Sequence, residues 1–134
     1  METLNIESTE FTPKIYFNPA EKVFQISGFS RPEDVALFYE PVLKWLEEYE
    51  EKELKPAGYS QYKKEPLVLN FHMRYFNSAS SKCLLDILYK LLEFRSKGAD
   101  LKINWIFDDG DETILESGEE LSDLIDYPFN YRSE

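Results

Sequence analysis

The sequence predicts an α/β (α+β) domain over residues 1–134, with a mixed central sheet, an N-terminal hairpin and helices packed mainly on one face. Two β-like segments, residues 15–17 and 22–28, flank the turn-forming residues 18–21 and predict the hairpin. Further along, a strand-like, a helical and a second strand-like pattern follow one another over residues 65–107. Such a unit is a crossover that joins parallel strands, so the sheet should contain both antiparallel and parallel pairs.

A first helix is predicted after the hairpin. Ser30 is a candidate N-cap, Pro32 lies in the first turn, and Glu33 stands three residues after the cap, which is the spacing of a capping box. Apolar residues then recur at three- and four-residue steps and should face a core: Val35, Phe38, Tyr39, Val42, Leu46 and Tyr49. Pro41 interrupts this pattern and predicts a bend, because it removes a backbone hydrogen bond. The charged residues 47–55 should form the solvated end of this helix.

The crossover unit has a clear apolar pattern in each of its elements. Leu67, Leu69, Phe71 and Met73 alternate with more polar residues, as do Leu101, Ile103, Trp105 and Phe107, so each strand should bury one face. Between them, a helical stripe ends before Gly98, a suitable C-cap, and consists of Leu84, Ile87, Leu88, Leu91 and Phe94. A weaker helix is predicted over residues 113–125, broken by Gly118 and ended by Pro128.

Charge and composition exclude several classes of function. The formal net charge is −11, from 15 basic and 26 acidic residues, so nucleic acid and anionic membranes are not expected partners. Cys83, the single cysteine, has no partner for an internal disulfide. The N-terminal residues lack the basic start and apolar stretch of a signal peptide, and no run is long enough to span a membrane. We therefore expect a cytoplasmic protein that docks on other proteins.

Four small polar residues join the first crossover strand to its helix: Asn77, Ser78, Ser80 and Ser81. Asn77, Ser78 or Ser80 can serve as the helix N-cap. Ser78 lies at or next to that cap, where free backbone N–H groups and the helix dipole favour negative charge. A phosphate on this residue could change what docks on the surface without unfolding the domain. Tyr75 and Phe76 precede it, either as exposed docking residues or as part of the core.

Other polar residues give weaker signals for chemistry. His72 is expected to be a strand histidine with a local hydrogen-bond partner, since no other histidine or cysteine cluster is present for a zinc site. The acidic residues 108–112 do not have the spacing of an EF-hand and predict a turn at the start of the next helix. No nucleophile elbow or phosphate-binding glycine loop is present, so we expect no enzyme, no metal and no cofactor.

The stretch YFNSASSKCLLDIL, residues 75–88, resembles the serine-rich turn and following helix of the SiaC family of bacterial regulatory phosphoproteins. The resemblance extends over nearly the whole chain. It includes Thr12 and Pro13, residues 28–33 (GFSRPE), Trp105 with Asp108 and Asp109, and residues 127–129 (YPF), in the order and spacing of that family.

The resemblance implies a STAS-like fold, as in anti-sigma-factor antagonists, and a partner-switching cycle. In such a cycle a serine/threonine kinase of the histidine-kinase-like ATPase type phosphorylates the domain, and a PP2C-like phosphatase removes the phosphate. The unmodified form binds and activates a diguanylate cyclase, which implies a role in cyclic-di-GMP signalling and biofilm regulation. The acceptor implied by the resemblance is Ser78, which follows Asn77, with Ser80 as the alternative.

The sequence therefore leads to one main hypothesis and two rivals. The main hypothesis is a non-catalytic switch whose partner-binding residues are Tyr75, Phe76, Asn77, Ser78, Ser80 and Ser81. One rival is a constitutive protein-binding adaptor in which the serines only cap the helix. The other is a small metal-dependent hydrolase that uses Asp108, Asp109 and Asp111.

Overall fold

Six strands form one sheet, and their order across the sheet is their order along the chain. The computed structural model describes residues 1–134. The strands are β1 (Leu4–Ile6), β2 (Lys14–Asn18), β3 (Val23–Ser30), β4 (Leu67–Phe76), β5 (Leu101–Phe107) and β6 (Asn130–Ser133). The pairs β1–β2 and β2–β3 are antiparallel, whereas β3–β4, β4–β5 and β5–β6 are parallel. The sheet is therefore mixed, with the predicted hairpin at its N-terminal side.

Three helices connect and cover these strands. They are α1 (Val35–Tyr49), α2 (Ser78–Ser96) and α3 (Glu112–Ile125). A π-helical turn, Glu50–Leu54, extends α1, and a short 3-10 helix, Ser60–Tyr62, precedes β4. None of these helices has both the length and the apolar character needed to cross a bilayer.

The two faces of the sheet differ in burial, which shows where the core lies. Along β4, residues 67, 69, 71 and 73 are buried and the residues between them are only partly so. The same alternation runs through β2, and through β5 as far as Trp105. At the end of β5, Ile106 is buried and Phe107 only partly so, in contrast to the prediction. The buried face packs against the helices, whereas the other face carries Gln25, Asn70 and Asn104 among its partly exposed residues. The helices thus pack mainly on one face, as the sequence predicts.

The first helix begins later than predicted. Its N-cap is Asp34, whose carboxylate accepts a hydrogen bond from Leu37 N at 3.0 Å. Ser30 is instead the buried last residue of β3. Both positions carry a capping residue type, but Ser30 belongs to a strand that is already paired with β4. The capping-box prediction for Ser30 and Glu33 is therefore wrong.

Gly118 does not break the last helix, in contrast to the prediction. It lies within α3, where a Cβ would come within 2.4 Å of Trp105 Nε1. Trp105 Nε1 also donates a hydrogen bond to Ile114 O at 2.9 Å, one turn earlier on the same helix. The glycine is thus a point of close packing between α3 and β5, and the helix continues because tertiary contact outweighs the low helix propensity of one glycine.

Glu50 is the exception to the solvated charge run after α1. Glu50 is 3% exposed, and its carboxylate accepts hydrogen bonds from Tyr59 OH at 2.7 Å, Lys97 Nζ at 2.9 Å and Lys90 Nζ at 3.0 Å. Burial by itself would raise the pKa of Glu50, but these hydrogen bonds outweigh it and lower the pKa to about 2. The charged cluster therefore ties the end of α1 to the C-terminal half of α2.

Candidate functional site

The candidate site is the junction between β4 and α2. Asn77 is the N-cap of α2, and its side-chain Oδ1 accepts a hydrogen bond from Ser80 N at 2.8 Å. The backbone N–H of Asn77 donates to Ser30 O at 3.2 Å, which fixes the cap to the end of β3. A shift in strand register after Gly28 places Ser30 opposite Phe76 and makes this contact possible. The helix start is thus anchored on two strands.

Ser78 is the first residue of α2, and its side chain is exposed. The next residue, Ala79, is also exposed, and Ser81 is half-buried. The N–H groups of Ser78 and Ala79 have no acceptor within the helix, because the first amides of any helix lack one. The accessible part of the junction is therefore a hydroxyl beside free N–H groups at the positive end of a 19-residue helix.

Ser80 has the opposite environment and is fully buried. Its hydroxyl donates to Ser30 O at 3.1 Å and accepts from Ser30 Oγ at 2.8 Å. The Ser30 hydroxyl proton is used in this way, so Tyr39 OH, 2.7 Å from Ser30 Oγ, is the donor in their contact. Burial raises the pKa of Tyr39 to about 12, partly offset by the hydrogen bond with Ser30. Ser80, expected from the sequence to be accessible, is instead part of a buried network of hydroxyl groups.

The two aromatic residues before the junction separate into an exposed and a packed one. Tyr75 is 41% exposed and stacks on Phe29 of the neighbouring strand, with ring centroids 4.8 Å apart. Phe76 is half-buried and meets Trp105 edge-on at 5.9 Å. Tyr75 therefore remains available to a partner, whereas Phe76 belongs mainly to the core.

The remaining polar candidates have structural partners. His72 Nε2 lies 2.9 Å from Asp108 Oδ1, and Arg74 Nε lies 3.5 Å from the other carboxylate oxygen. Asp111 is the N-cap of α3 and accepts from Ile114 N at 3.1 Å. No group of three or more histidine, cysteine, aspartate or glutamate residues is arranged to hold a metal ion. The acidic turn is thus the start of a helix, as its composition indicates.

Cys83 lies on α2, less than two turns after Ser78, and is half-buried. Burial raises the pKa of its thiol, and the nearby Asp86 carboxylate raises it further. A thiol with a raised pKa carries little thiolate at neutral pH and is a weak nucleophile. The structure gives Cys83 the properties of a small packed side chain.

The sequence motifs do not predict the hydroxyl network of Ser30, Tyr39 and Ser80. A signal for part of it was present. Ser80 stands four residues before Leu84 and seven before Ile87, on the apolar stripe of α2, whereas Ser78 does not. Helical periodicity alone could therefore have assigned Ser80 to the interior.

Comparisons with known proteins agree with the fold and with the motifs. A family model described as SiaC family regulatory phosphoprotein matches residues 6–134. An uncharacterized protein of Pseudomonas aeruginosa strain UCBPP-PA14 is 28% identical over 129 residues, which cover 96% of this chain and 94% of that protein.

Two solved structures show the same architecture. SiaC of Pseudomonas aeruginosa has a TM-score of 0.79 and 25% identity, and both chains are covered completely. The crystal structure of the diguanylate cyclase SiaD in complex with its activator SiaC, also from Pseudomonas aeruginosa, gives a TM-score of 0.81 and 26% identity, with 98% and 99% of the chains covered. The predicted fold class and the family resemblance are confirmed.

The family description is that of regulatory phosphoproteins, and SiaC is named as the activator of a cyclase that carries the activity itself. The expectation of a signalling protein and not an enzyme is confirmed in this way. With a match to the family model that leaves out only the first five residues, the chain belongs to the SiaC family of regulatory phosphoproteins.

Proposed function

We propose that this protein is a phosphorylation-controlled partner switch in which Ser78 is the acceptor and the unphosphorylated form binds and activates a diguanylate cyclase. The observation that carries the proposal is the contrast between two serines of one turn, since Ser78 is exposed at the helix start and Ser80 is fully buried. A kinase must align the acceptor hydroxyl with the γ-phosphate of ATP inside its own cleft. A hydroxyl in the core does not reach such a cleft, so Ser78 is preferred over Ser80.

The position of Ser78 also explains how a phosphate could act without disrupting the domain. Phosphorylation adds a charge of about −1.5 to −2 and three strong acceptor oxygens. At the first turn of a helix this charge is stabilised by the dipole and by the free N–H groups. Asn77 already caps α2, so the fold does not depend on the Ser78 hydroxyl. The modification would change the surface and leave the core unchanged.

The enzymes that add and remove the phosphate are part of the proposal. The Ser78 hydroxyl has no hydrogen-bonded general base, and the single histidine, His72, is paired with Asp108. The chain therefore requires a separate kinase and a separate phosphatase. From the family resemblance we assign these roles to a serine/threonine kinase of the histidine-kinase-like ATPase type and to a PP2C-like phosphatase.

A diguanylate cyclase is the output partner that the comparisons favour. SiaC, similar to this chain at 26% identity, is the activator of the diguanylate cyclase SiaD in the solved complex. The accessible residues at the junction are Tyr75, Asn77, Ser78 and Ser81, and they form the proposed contact surface. Phe76 and Ser80 lie beneath this surface and pack in the interior. A cytoplasmic location belongs to the same proposal, because kinase and cyclase both use nucleoside triphosphates.

The acceptor is tested by phosphate-affinity gel electrophoresis of protein from the native host, with and without PP2C-type phosphatase. We expect a slow-migrating, phosphatase-sensitive band that is lost in Ser78→Ala and retained in Ser81→Ala. Ser81, three residues further along α2, is the matched control. Peptide mapping should locate the phosphate on Ser78. A slow band that persists in Ser78→Ala would refute the acceptor assignment.

The partner is tested by affinity capture from host extract followed by an assay for cyclic-di-GMP formation from GTP in the captured fraction. Wild type and Ser78→Ala should capture and activate this activity, and Ser78→Glu should capture less. Equal capture by all three variants would favour the rival constitutive adaptor, which is consistent with Asn77 alone capping the helix. Absence of cyclase activity in every fraction would overturn the cyclase assignment.

A further inference from the structure

A groove runs between α1 and α2 and opens beside the start of α2. Its volume is about 780 Å³, and it is open to solvent. Val35, Ala36 and Leu43 of α1 and Ala79 and Cys83 of α2 contribute its apolar lining. Ala79 directly follows Ser78, so one end of the groove lies at the proposed phosphorylation site.

Charged side chains line the same groove, and none of them forms an ion pair. They are two lysines, Lys44 and Lys82, and three carboxylates, Glu40, Glu47 and Asp86. An apolar centre within a polar rim is the usual anatomy of a protein interface. Because these charges have no partner within the chain, they are available to opposite charges on another protein.

Lys82 links this groove to Ser78. The two residues are four apart on an uninterrupted helix, so their Cβ atoms lie about 5–6 Å from each other. At about 100° per residue, Lys82 projects between the direction of Ser78 and the direction of Ala79 in the groove. An anionic residue four positions before a lysine is the favourable order for a helical ion pair. A phosphate on Ser78 would therefore have Lys82 within reach.

We propose that the partner's contact extends from the junction of β4 and α2 into the groove between α1 and α2, and that Lys82 makes docking sensitive to the phosphate on Ser78. The inference rests on the proposed function and specifies the surface and the mechanism of regulation. The occupant is a partner segment with an apolar stripe, carboxylates opposite Lys44 and Lys82, and basic groups opposite the three carboxylates of the groove. This charge order complements the unpaired charges of the groove.

Phosphorylation changes the charge at the Ser78 end of the groove. Without phosphate, Lys82 is free to pair with the partner's carboxylate. With phosphate, Lys82 pairs with its own helix, and the site where the partner's carboxylate would lie becomes negative. Like charges in that position repel, so the segment leaves the groove although the apolar lining is unchanged.

The pairing of Lys82 with the phosphate is tested on full-length protein carrying genetically encoded phosphoserine at position 78. The ³¹P chemical shift is followed as a function of pH in this protein, in Lys82→Gln and in Lys44→Gln, the matched control across the groove. A nearby cation favours the dianion, so Lys82→Gln should move the titration midpoint upward by about 0.3 of a pH unit. Lys44→Gln should leave it in place. Coincident titrations of wild type and Lys82→Gln would overturn this half of the proposal.

Docking in the groove is tested by capture of cyclase activity with Ala36→Glu and with Ala57→Glu. Both alanines are exposed, but only Ala36 lines the groove. We expect Ala36→Glu to lose at least nine-tenths of the captured activity (about tenfold, or more) and Ala57→Glu to retain it. Circular dichroism and urea unfolding verify that both variants fold. Full capture by folded Ala36→Glu would refute the groove as the docking surface.

The two tests separate this inference from the proposed function. If wild type captures no cyclase activity, the cyclase proposal fails and the docking half fails with it, while the ³¹P titration still decides the role of Lys82. If capture succeeds and Ala36→Glu behaves like wild type, the partner switch stands and only the groove is wrong.

Discussion

The hydroxyl oxygens of Ser30 and Tyr39 lie 2.7 Å apart in the interior, where the contact joins the end of β3 to α1. Ser80 of α2 completes the network from the other side, 2.8 Å from Ser30 Oγ. The Ser30 side chain therefore connects α2, which carries Ser78, with α1 on the opposite side of the groove. Its contribution can be measured by substitution.

We predict that Ser30→Ala lowers the free energy of unfolding by about 2 kcal/mol, because it leaves the buried Tyr39 hydroxyl without a partner. Adding Tyr39→Phe removes that unpaired group, so the double variant should be less destabilised than the sum of the two single variants. Urea unfolding of wild type, the two single variants and the double variant provides a double-mutant cycle. Strictly additive effects would mean that the Ser30–Tyr39 hydrogen bond contributes nothing to stability.

Gly118→Ala should destabilise the protein by about 2 kcal/mol, although alanine is the better helix former. The added methyl group would overlap the indole of Trp105 and disturb its hydrogen bond to Ile114 O. Glu119→Ala, at the next and exposed position of α3, is the control and should change stability little. The measurement is urea unfolding monitored by tryptophan fluorescence. A stabilised Gly118→Ala variant would contradict the close packing.

The cap of α2 can be tested without touching the serines. Asn77→Ala removes the acceptor of Ser80 N and should cost about 1 kcal/mol, whereas Asn77→Asp preserves the acceptor and should cost much less. Hydrogen exchange at the Ser80 amide should become faster in Asn77→Ala and stay slow in Asn77→Asp. Equal exchange in the two variants would show that the cap is not formed by this side chain.

Glutamate should be tolerated at position 78 and strongly destabilising at position 80. Ser78→Glu places a charge on the surface at the positive end of α2, so we expect a change of at most about 0.5 kcal/mol. Ser80→Glu forces a charge into the core and should cost more than about 3 kcal/mol or prevent folding. Circular dichroism and urea unfolding compare the two. A stable, folded Ser80→Glu protein would reopen Ser80 as an acceptor.

Stability should decrease in acid because of Glu50. Its pKa is lowered from 4.5 to about 2 in the folded protein, so the folded state favours the carboxylate more than the unfolded state does. This contribution is complete above about pH 4.5 and is lost as the pH falls toward 2. Glu50→Gln should cost ~2 kcal/mol at pH 7, less than for a fully buried pair because Lys90 and Lys97 can still reach water.

The measurement for Glu50 is the urea midpoint at pH 7, 4 and 3. In Glu50→Gln the loss of stability over this range should be smaller than in wild type. Parallel curves for the two proteins would show that other carboxylates determine the acid sensitivity.

The sequence was most informative where local signals agreed. The start of α2 has a capping residue, a helical stripe and a preceding alternating strand, and all three were predicted from residues within a short window. The crossover of β4, α2 and β5 could be predicted for the same reason. The family motifs pointed to the same turn.

The missed elements depend on distant partners. β1 and β6 contain three and four residues, without a strong apolar alternation, and are strands because a neighbouring strand offers its free edge. Ser30 and Glu50 differ from their predicted roles because their partners Ser80 and Lys97 are distant in the sequence. The position of the site can be predicted from the sequence. Which serine is exposed and which is buried depends on how α2 packs against the sheet.

The agreement between strand order and chain order bears on how the protein is made. Each strand pairs only with its predecessor and its successor, so the sheet can lengthen in one direction as the chain emerges from the ribosome. No existing pair has to open to admit a later strand. β6 joins last, and a chain truncated before it would leave β5 as an unprotected edge, open to pairing with another molecule.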